Sequence, residues 1–134
     1  MQVIQSKMDA LHFNFGSDRA IYLQLAEKLE LLIVDGTFGK GERLPSVREL
    51  ALYSKVNPNT AQKSLALLEE KRLVLTDRTN GKFVTTDEEL IDATRDKIVQ
   101  EAAERFLLTM EGLGFPKRKT IKLLKKLGEE DEAN

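Results

Sequence analysis

Two helix-start signals stand eleven residues apart near the middle of this 134-residue chain. The first is Ser46 with Glu49 three residues later, the reciprocal pair that caps a helix N-terminus. The second is Asn57-Pro58, because asparagine caps well and proline fits the first helical position, where no N–H is needed. Only a short helix fits between the two signals, and a turn of three residues, Lys55–Asn57, joins it to the next helix.

A longer amphipathic helix is predicted before this pair. It starts within residues 17–19 and ends at Asp35, where Gly36 stops it. Apolar side chains recur there at steps of four, four and three, which places them on one face. That face consists of Ile21, Leu25, Leu29 and Leu32. The segment over residues 36–45 is predicted to consist of turns.

The helix that follows Asn57 has an apolar and a polar side. Ala61, Leu65 and Leu68 form a stripe that packs inward. The opposite side is polar and small, which suits contact with another molecule. It carries Asn59, Gln62, Lys63 and Ala66.

A β-hairpin is predicted directly after this helix. Strand-like runs over residues 73–76 and 82–86 flank a turn over residues 77–81. The Asn80-Gly81 pair in that turn favours the positive φ angles of a tight hairpin. Arg78 and Lys82 make its tip basic.

The last third is predicted to be helical, with a break at residues 112–114 and a new helix opening at Pro116. In that short last helix Ile121, Leu124 and Leu127 are expected inward, and residues 129–134 are expected to fray. The preceding domain has little spare surface, so we expect the apolar residues of this region to form a two-fold partner surface. They are Ile91, Ile98, Ala102, Phe106, Met110 and Leu124.

The net charge of −1 hides a strong asymmetry along the chain. Residues 40–85 carry nine basic and five acidic side chains, or +4, whereas residues 1–39 carry −2 and residues 86–134 carry −3. This asymmetry predicts an anionic partner for the middle segment.

Composition excludes several other classes of protein. The chain has no cysteine and a single histidine, His12, which leaves almost nothing for Cys/His zinc sites or for Ser-His and Cys-His catalysis. No apolar run approaches the roughly 18 residues of a membrane span. We therefore expect a soluble, cytoplasmic protein that has no cofactor, no membrane contact and no enzymatic activity.

The order of these elements is that of a winged helix-turn-helix, in which a capped helix follows a three-residue turn and precedes a basic hairpin. The sequence therefore predicts a mainly α fold with a small β-hairpin. We expect a winged helix-turn-helix domain over residues 1–86, which binds DNA, and a two-helix C-terminal extension over residues 87–134, which dimerises. The major groove of B-DNA admits one α-helix, and the free N–H groups at a helix N-terminus attract phosphate.

The polar side of the third helix is expected to enter that groove. Asn59 and Gln62 are predicted to read base edges, and Lys63 to contact either a base or a phosphate. The other predicted contacts are to phosphate, and those on the hairpin also reach the minor groove. They are Arg48, Asn57, Thr60, Arg78 and Lys82.

Five motifs carry a family resemblance, and they are Ile21-Tyr-Leu-Gln24, Gly41-Glu-Arg-Leu-Pro-Ser-Val-Arg-Glu-Leu-Ala51, Asn57-Pro-Asn-Thr60, Leu68-Glu69 and Gly81-Lys-Phe-Val84. They resemble the DNA-binding domain of GntR-family bacterial transcriptional regulators over about residues 19–86. The chain departs from the family where Ala20 replaces a proline and where Thr79-Asn-Gly-Lys replaces the Gly-x-Gly-Thr of the wing. The resemblance implies DNA contacts at Arg48, Asn57, Asn59, Thr60, Gln62, Asn80 and Gly81.

The tail that contains Leu113-Gly-Phe115 resembles the YtrA-like branch of that family, whose members dimerise through two C-terminal helices. The resemblance implies a homodimeric regulator, a repressor, that binds double-stranded DNA at a pseudo-palindromic operator. The alternative is a winged-helix module that docks a partner protein with the polar side of its third helix. A small-molecule effector of unknown identity would bind at the dimer interface, between tail and winged domain, or not at all.

Two charged clusters have two interpretations each. The acidic residues within 87–92 suit a hard metal ion, but the electrostatics of a helix start is the favoured explanation. The basic side of the last helix suits DNA contact, but a solvated face is favoured. That side carries Lys117, Arg118, Lys119, Lys122, Lys125 and Lys126.

Overall fold

The computed structural model describes Lys7, Asp9 and residues 14–133, so His12 lies outside the described residues. Two compact units divide the chain, Met1–Arg95 and Asp96–Asn134. No helix in the described part is both long enough and apolar enough to cross a membrane. From residue 14 onward the helices and strands are α1 (Ile21–Val34), α2 (Val47–Ser54), α3 (Pro58–Glu70), β1 (Val74–Asp77), β2 (Gly81–Val84), α4 (Glu88–Gly112) and α5 (Lys117–Ala133). This mainly helical chain with one two-stranded antiparallel hairpin confirms the predicted fold class.

Helix α1 begins at Ile21, later than predicted, because the side chain of Gln24 holds the preceding residues out of the helix. Its amide oxygen accepts the N–H of Gly16 at 2.8 Å, and its amide nitrogen donates to the carbonyl oxygens of Arg19 at 2.8 Å and Gly16 at 2.9 Å. Ile21 is 44% exposed, so the prediction that it shares the buried face was wrong. The other three predicted residues of that face, Leu25, Leu29 and Leu32, are buried.

Both predicted helix caps are confirmed. The Ser46 hydroxyl accepts the N–H of Glu49 at 3.1 Å, and the Glu49 carboxylate accepts the N–H of Ser46 at 3.1 Å. The side chain of Asn57 accepts the N–H of Asn59 at 2.8 Å, one residue beyond Pro58. The predicted three-residue turn lies between α2 and α3, and Lys55 takes a left-handed conformation there with φ 57°.

The segment 36–45 pairs with the hairpin at one place that the sequence did not reveal. The N–H of Gly41 donates to Val84 at 2.9 Å, the N–H of Val84 donates to Glu42 at 2.9 Å, and the N–H of Leu44 donates to Lys82 at 2.8 Å. Arg43 forms an isolated antiparallel bridge to Phe83 between these bonds. Turns are present at residues 35–36 and 40–41, and the bridge was missed because a single paired residue has no apolar alternation to reveal it.

The core of the first unit joins the three short helices to the hairpin. Helix α3 packs against both α1 and α2. The predicted stripe of Ala61, Leu65 and Leu68 is buried, and the opposite side of α3 therefore faces outward. The large side chains with 1% exposure or less are Leu25, Leu29, Leu50, Leu65, Leu68, Leu73, Val74 and Val84.

The second unit contains most of α4 and all of α5, joined by a turn in which Gly114 has φ 81°. Helix α5 continues to Ala133, so the prediction of a frayed tail was wrong from residue 129 to residue 133. Glutamate and alanine are good helix formers, and Gly128 alone does not end the helix. The apolar side chains that were expected inward are about half exposed, at 44% for Ile121, 46% for Leu124 and 47% for Leu127.

A charged contact ties the hairpin to the end of α3. The ammonium of Lys82 pairs with the Glu69 carboxylate and donates to the Thr76 hydroxyl at 3.0 Å, and that hydroxyl donates to Glu69 at 2.8 Å. Burial alone would raise the pKa of Glu69, but the hydrogen bonds from Lys82 and Thr76 and the charge of Lys82 outweigh it. The pKa of Glu69 therefore lies below its ordinary value.

We predict that Glu69→Gln lowers the free energy of unfolding at pH 7 by about 0.5 kcal/mol, since the pair is partly exposed to solvent. A carboxyl whose pKa is lowered by folding stabilises the fold above its unfolded pKa and loses that contribution as the pH falls through the folded value. The difference between variant and wild type should therefore shrink below about pH 4. Urea unfolding followed by circular dichroism measures it, with the exposed neighbour substitution Glu70→Gln as control. Equal losses for the two variants at every pH would contradict this role of Glu69.

Candidate nucleic-acid interface

The outer side of α3 presents the predicted base readers together. Asn59, Gln62 and Lys63 are all exposed, and their spacing of three and four residues places them on adjacent turns of one face. The start of this helix is also exposed at Asn57 and Pro58. A surface of this kind has the dimensions and the donor and acceptor groups that major-groove contact requires.

Two of the predicted phosphate contacts at the start of α3 differ in availability. The side-chain oxygen of Asn57 is occupied by capping, which leaves its amide N–H groups to face outward. Thr60 is half-buried.

Arg48, in the first turn of α2, is exposed and makes no hydrogen bond or ion pair with any residue that the structure describes. Its guanidinium is therefore available to an anion.

Lys63 is held toward α1 by an aromatic ring. Its ammonium lies 5.8 Å from the centre of the Tyr22 ring, within the range of a cation–π contact. Both roles predicted for Lys63, a base contact and a phosphate contact, stay predictions.

Asp77 organises the tip of the hairpin, which is called the wing (residues 77–82) below. Its carboxylate accepts the N–H groups of Thr79 at 2.9 Å and Asn80 at 3.3 Å, and the Asn80 amide donates to it at 3.2 Å. The backbone bond from Thr79, followed by the bonds from Asn80, holds the pKa of Asp77 below its ordinary value. Gly81 has φ 105°, but Asn80 does not take a positive φ, so the tight turn centred on this pair was wrong. Residues 78–80 form the connection instead.

The two cations of the wing are placed differently. Arg78 is exposed in the connection between the strands. The side chain of Lys82 is only 16% exposed, because its ammonium pairs with Glu69. In this structure Lys82 links the wing to α3, and its contact with DNA stays a prediction.

Arg43 is a further cation at the wing, and the sequence did not single it out. A Cβ added at Gly81 would lie 3.4 Å from the Nε atom of Arg43, so the guanidinium rests against the bare backbone of the wing. Arg43, Ser46 and Arg78 line an open groove of about 220 Å³ beside the start of α2. The pairing of residues 41–44 with β2 creates this placement, and the sequence pattern did not reveal that pairing.

The residues predicted for dimerisation are not all available on the protomer surface. Ile91 is 8% exposed and belongs to the core of the first unit, so its side chain is not accessible on the predicted dimer surface. Ile98 and Met110 are half-buried within the second unit. The other three are exposed there, and they are Ala102, Phe106 and Leu124.

Three acidic residues near the start of α4 each contact a different partner. Asp87 accepts the N–H of Leu90 at 3.1 Å, Glu88 pairs with Lys40, and Asp92 pairs with Arg95 at 2.7 Å. The favoured interpretation of this cluster as a helix start agrees with these contacts. Among the described residues, no group of three or more histidine, aspartate or glutamate side chains is arranged to hold a metal ion.

Arg95 connects α4 to the winged fold. Its guanidinium donates to the carbonyl oxygen of Val34 at 2.6 and 3.1 Å, where α1 ends and leaves carbonyl groups unpaired. The same side chain pairs with Asp92 one turn earlier. Together with the burial of Ile91, this contact fixes the first two turns of α4 within the first unit.

Comparison with known proteins identifies the family to which this chain belongs. Residues 21–84, which run from the start of α1 to the end of β2, match the family model described as bacterial regulatory proteins of the gntR family. The uncharacterized HTH-type transcriptional regulator YhcF of Bacillus subtilis (strain 168) is 37% identical over 111 residues, which cover 83% of this chain and 92% of YhcF. The HTH-type transcriptional repressor YtrA of the same organism is 36% identical over 69 residues, or 52% of this chain and 53% of YtrA.

A solved structure shows the same fold over nearly its whole length. The GntR family transcriptional regulator from Listeria monocytogenes superposes with a TM-score of 0.76 and 38% identity, over 84% of this chain and 98% of that one. The resemblance seen in the sequence motifs is thereby confirmed. The chain belongs to the GntR family of bacterial transcriptional regulators and carries the DNA-binding winged helix of that family.

Proposed function

We propose that this chain is a homodimeric repressor that binds a pseudo-palindromic operator with one α3 helix in each half-site. The observation that carries the proposal is the outer face of α3, where Asn59 and Gln62 stand exposed beside a capped helix start while the apolar stripe is buried. The relative YtrA is named a transcriptional repressor, which supports the direction of regulation. The proposed place of action is the cytoplasm, where bacterial DNA lies.

In this proposal the residues of the interface divide by the chemistry of their partners. Asn59 and Gln62 hydrogen-bond base edges in the major groove. The amide of Asn57, the hydroxyl of Thr60 and the charges of Arg48 and Lys63 hold phosphates around the same groove. The wing lies along the adjacent minor groove or its phosphates and contributes Arg78, Asn80 and Gly81. Arg43, which lies beside Gly81, contributes a further charge from the segment before α2.

Dimerisation is proposed to occur through residues 87–134, with residues 1–86 as the DNA-binding domain. A single winged module makes a small interface with DNA, so two-fold symmetry doubles the contacts and raises the affinity. The second unit supports this role because seven of the eleven large apolar side chains exposed in the described part of the chain lie on it. They are Val99, Phe106, Leu108, Leu113, Ile121, Leu124 and Leu127.

We expect Asn59→Ala to weaken binding to the operator by about 1–3 kcal/mol and to relax the preference for one base pair. Arg48→Ala should weaken operator and random duplex alike and reduce the slope of log affinity against log salt by about one. Fluorescence anisotropy with an operator selected from a random duplex pool measures both effects. Equal losses of operator and random-duplex affinity for Asn59→Ala would defeat the base-reading role.

Substitution of Arg43, which lies beside the wing, offers a separate test. Arg43→Ala should lower affinity for every duplex by about three- to tenfold, because one cation beside the phosphates is lost. Lys97→Ala is a matched control, since it removes one charge from an exposed position in the second unit. If the two variants bind a random duplex equally well in a salt titration, Arg43 has no part in the interface.

The homodimer is tested by placing a charge on its proposed surface. Phe106→Arg should convert the protein to a monomer in sedimentation analysis, because an unpaired arginine in an apolar interface remains desolvated without a partner. Operator affinity should fall with it. Glu101→Arg, which introduces the same side chain on another side of α4, should leave the dimer intact. A dimer that survives Phe106→Arg would place the interface elsewhere.

A further inference from the structure

Three cations line the open groove between the wing and the start of α2, and they are Arg43, Arg78 and Lys82. Arg43 and Arg78 make no ion pair with any residue that the structure describes, whereas the ammonium of Lys82 pairs with the carboxylate of Glu69. Asp77 lines the same groove, but its carboxylate accepts N–H groups of the wing. One cation of the groove is therefore neutralised, and its partner comes from the last turn of α3.

The Lys82 side chain is able to leave this pair without any movement of the sheet. The backbone of Lys82 pairs with Thr76 across the hairpin, and its carbonyl oxygen accepts the N–H of Leu44 at 2.8 Å. The side chains of Lys82 and Glu69 are 16% and 33% exposed, so water reaches the pair. An ion pair that water reaches is weak, and the lysine stem is flexible. Another anion in the groove can therefore compete with Glu69 for the ammonium.

We propose that Glu69 restrains DNA binding by this chain, because its carboxylate competes with DNA phosphate for the ammonium of Lys82. The inference rests on the proposed contact between the wing and DNA. Binding to DNA of any sequence depends on how many phosphates meet a cation. While Lys82 is paired, the groove offers phosphate two free cations instead of three. The affinity is therefore lower for operator and random duplex alike, and the base contacts of α3 make a larger share of the binding.

A purely structural ion pair would have the opposite effect on DNA binding. If Glu69 served only to fasten the wing to α3, its removal would loosen the wing and weaken binding. If Glu69 restrains Lys82, its removal frees a cation and strengthens binding. Glutamine separates the two roles, because its amide oxygen still accepts a hydrogen bond from the Thr76 hydroxyl, which now donates to Glu69 at 2.8 Å.

Glu69→Gln should raise the affinity for a random duplex about three- to tenfold at low salt and steepen the slope of log affinity against log salt by about one. Fluorescence anisotropy measures both effects. Glu70→Gln is the matched control, because it removes the same charge from an exposed residue that has no ion pair in the described part of the chain. It should change the affinity by less than about twofold. A loss of affinity for Glu69→Gln, or an equal gain for both variants, overturns the proposal.

A second background tests whether Glu69 acts through Lys82. The double variant Glu69→Gln, Lys82→Gln removes both charges of the pair and should bind a random duplex as the wild type does. Glu69→Gln should raise the affinity only where Lys82 is present. A gain of the same size in the Lys82→Gln background means that Glu69 acts on DNA by its own charge, which overturns the proposal. Circular dichroism shows whether each variant is folded at the temperature of the assay.

Arg78→Ala separates failure of this proposal from failure of the proposed wing contact. Arg78 lines the same groove and has no acidic partner among the described residues, so its loss should weaken binding to every duplex. If Arg78→Ala weakens binding and Glu69→Gln does not strengthen it, the wing meets DNA and only the restraint by Glu69 is wrong. If neither substitution changes the affinity, the wing does not meet DNA and both proposals fail.

Discussion

The winged fold depends on the burial of one side of α3. Ala61, Leu65 and Leu68 lie in the core where α3 packs on α1 and α2, and this burial determines which side of the helix remains outside. Apolar burial of this kind contributes about 25 cal/mol per Å² to the free energy of folding, and it is non-directional. The two caps add positional information, because Ser46 and Asn57 determine the residues at which α2 and α3 begin. An apolar stripe and two polar caps therefore orient the face of α3 that is proposed to meet DNA.

The wing has little stability of its own and depends on what surrounds it. A two-stranded hairpin is marginal in water, and this one is supported by backbone hydrogen bonds to residues 41–44 and by the contact of Lys82 with Glu69. Those same neighbours change its chemistry. Lys82 pairs with Glu69, and the guanidinium of Arg43 lies beside Gly81. The wing and the start of α2 are therefore parts of one surface.

The net charge of the chain is a poor guide to its partner because the charges are sorted by region. The winged segment is basic, and the flanking segments are acidic. Screening limits the reach of each patch to about 10 Å at 0.1 M salt, so a DNA duplex meets the local charge and not the average.

The sequence by itself determined the helix-turn-helix. The caps, the three-residue turn, the buried stripe of α3 and its polar face were all predicted, because each arises from residues within about four positions of one another. The tertiary structure decided the rest. The start of α1 depends on the hydrogen bonds of Gln24 to Gly16, the placement of Lys82 depends on Glu69, and Arg43 lies beside Gly81 because residues 41–44 pair with the hairpin. These contacts join residues that lie eight to about forty positions apart, where local propensity and periodicity carry no information and only the packed chain brings the partners together.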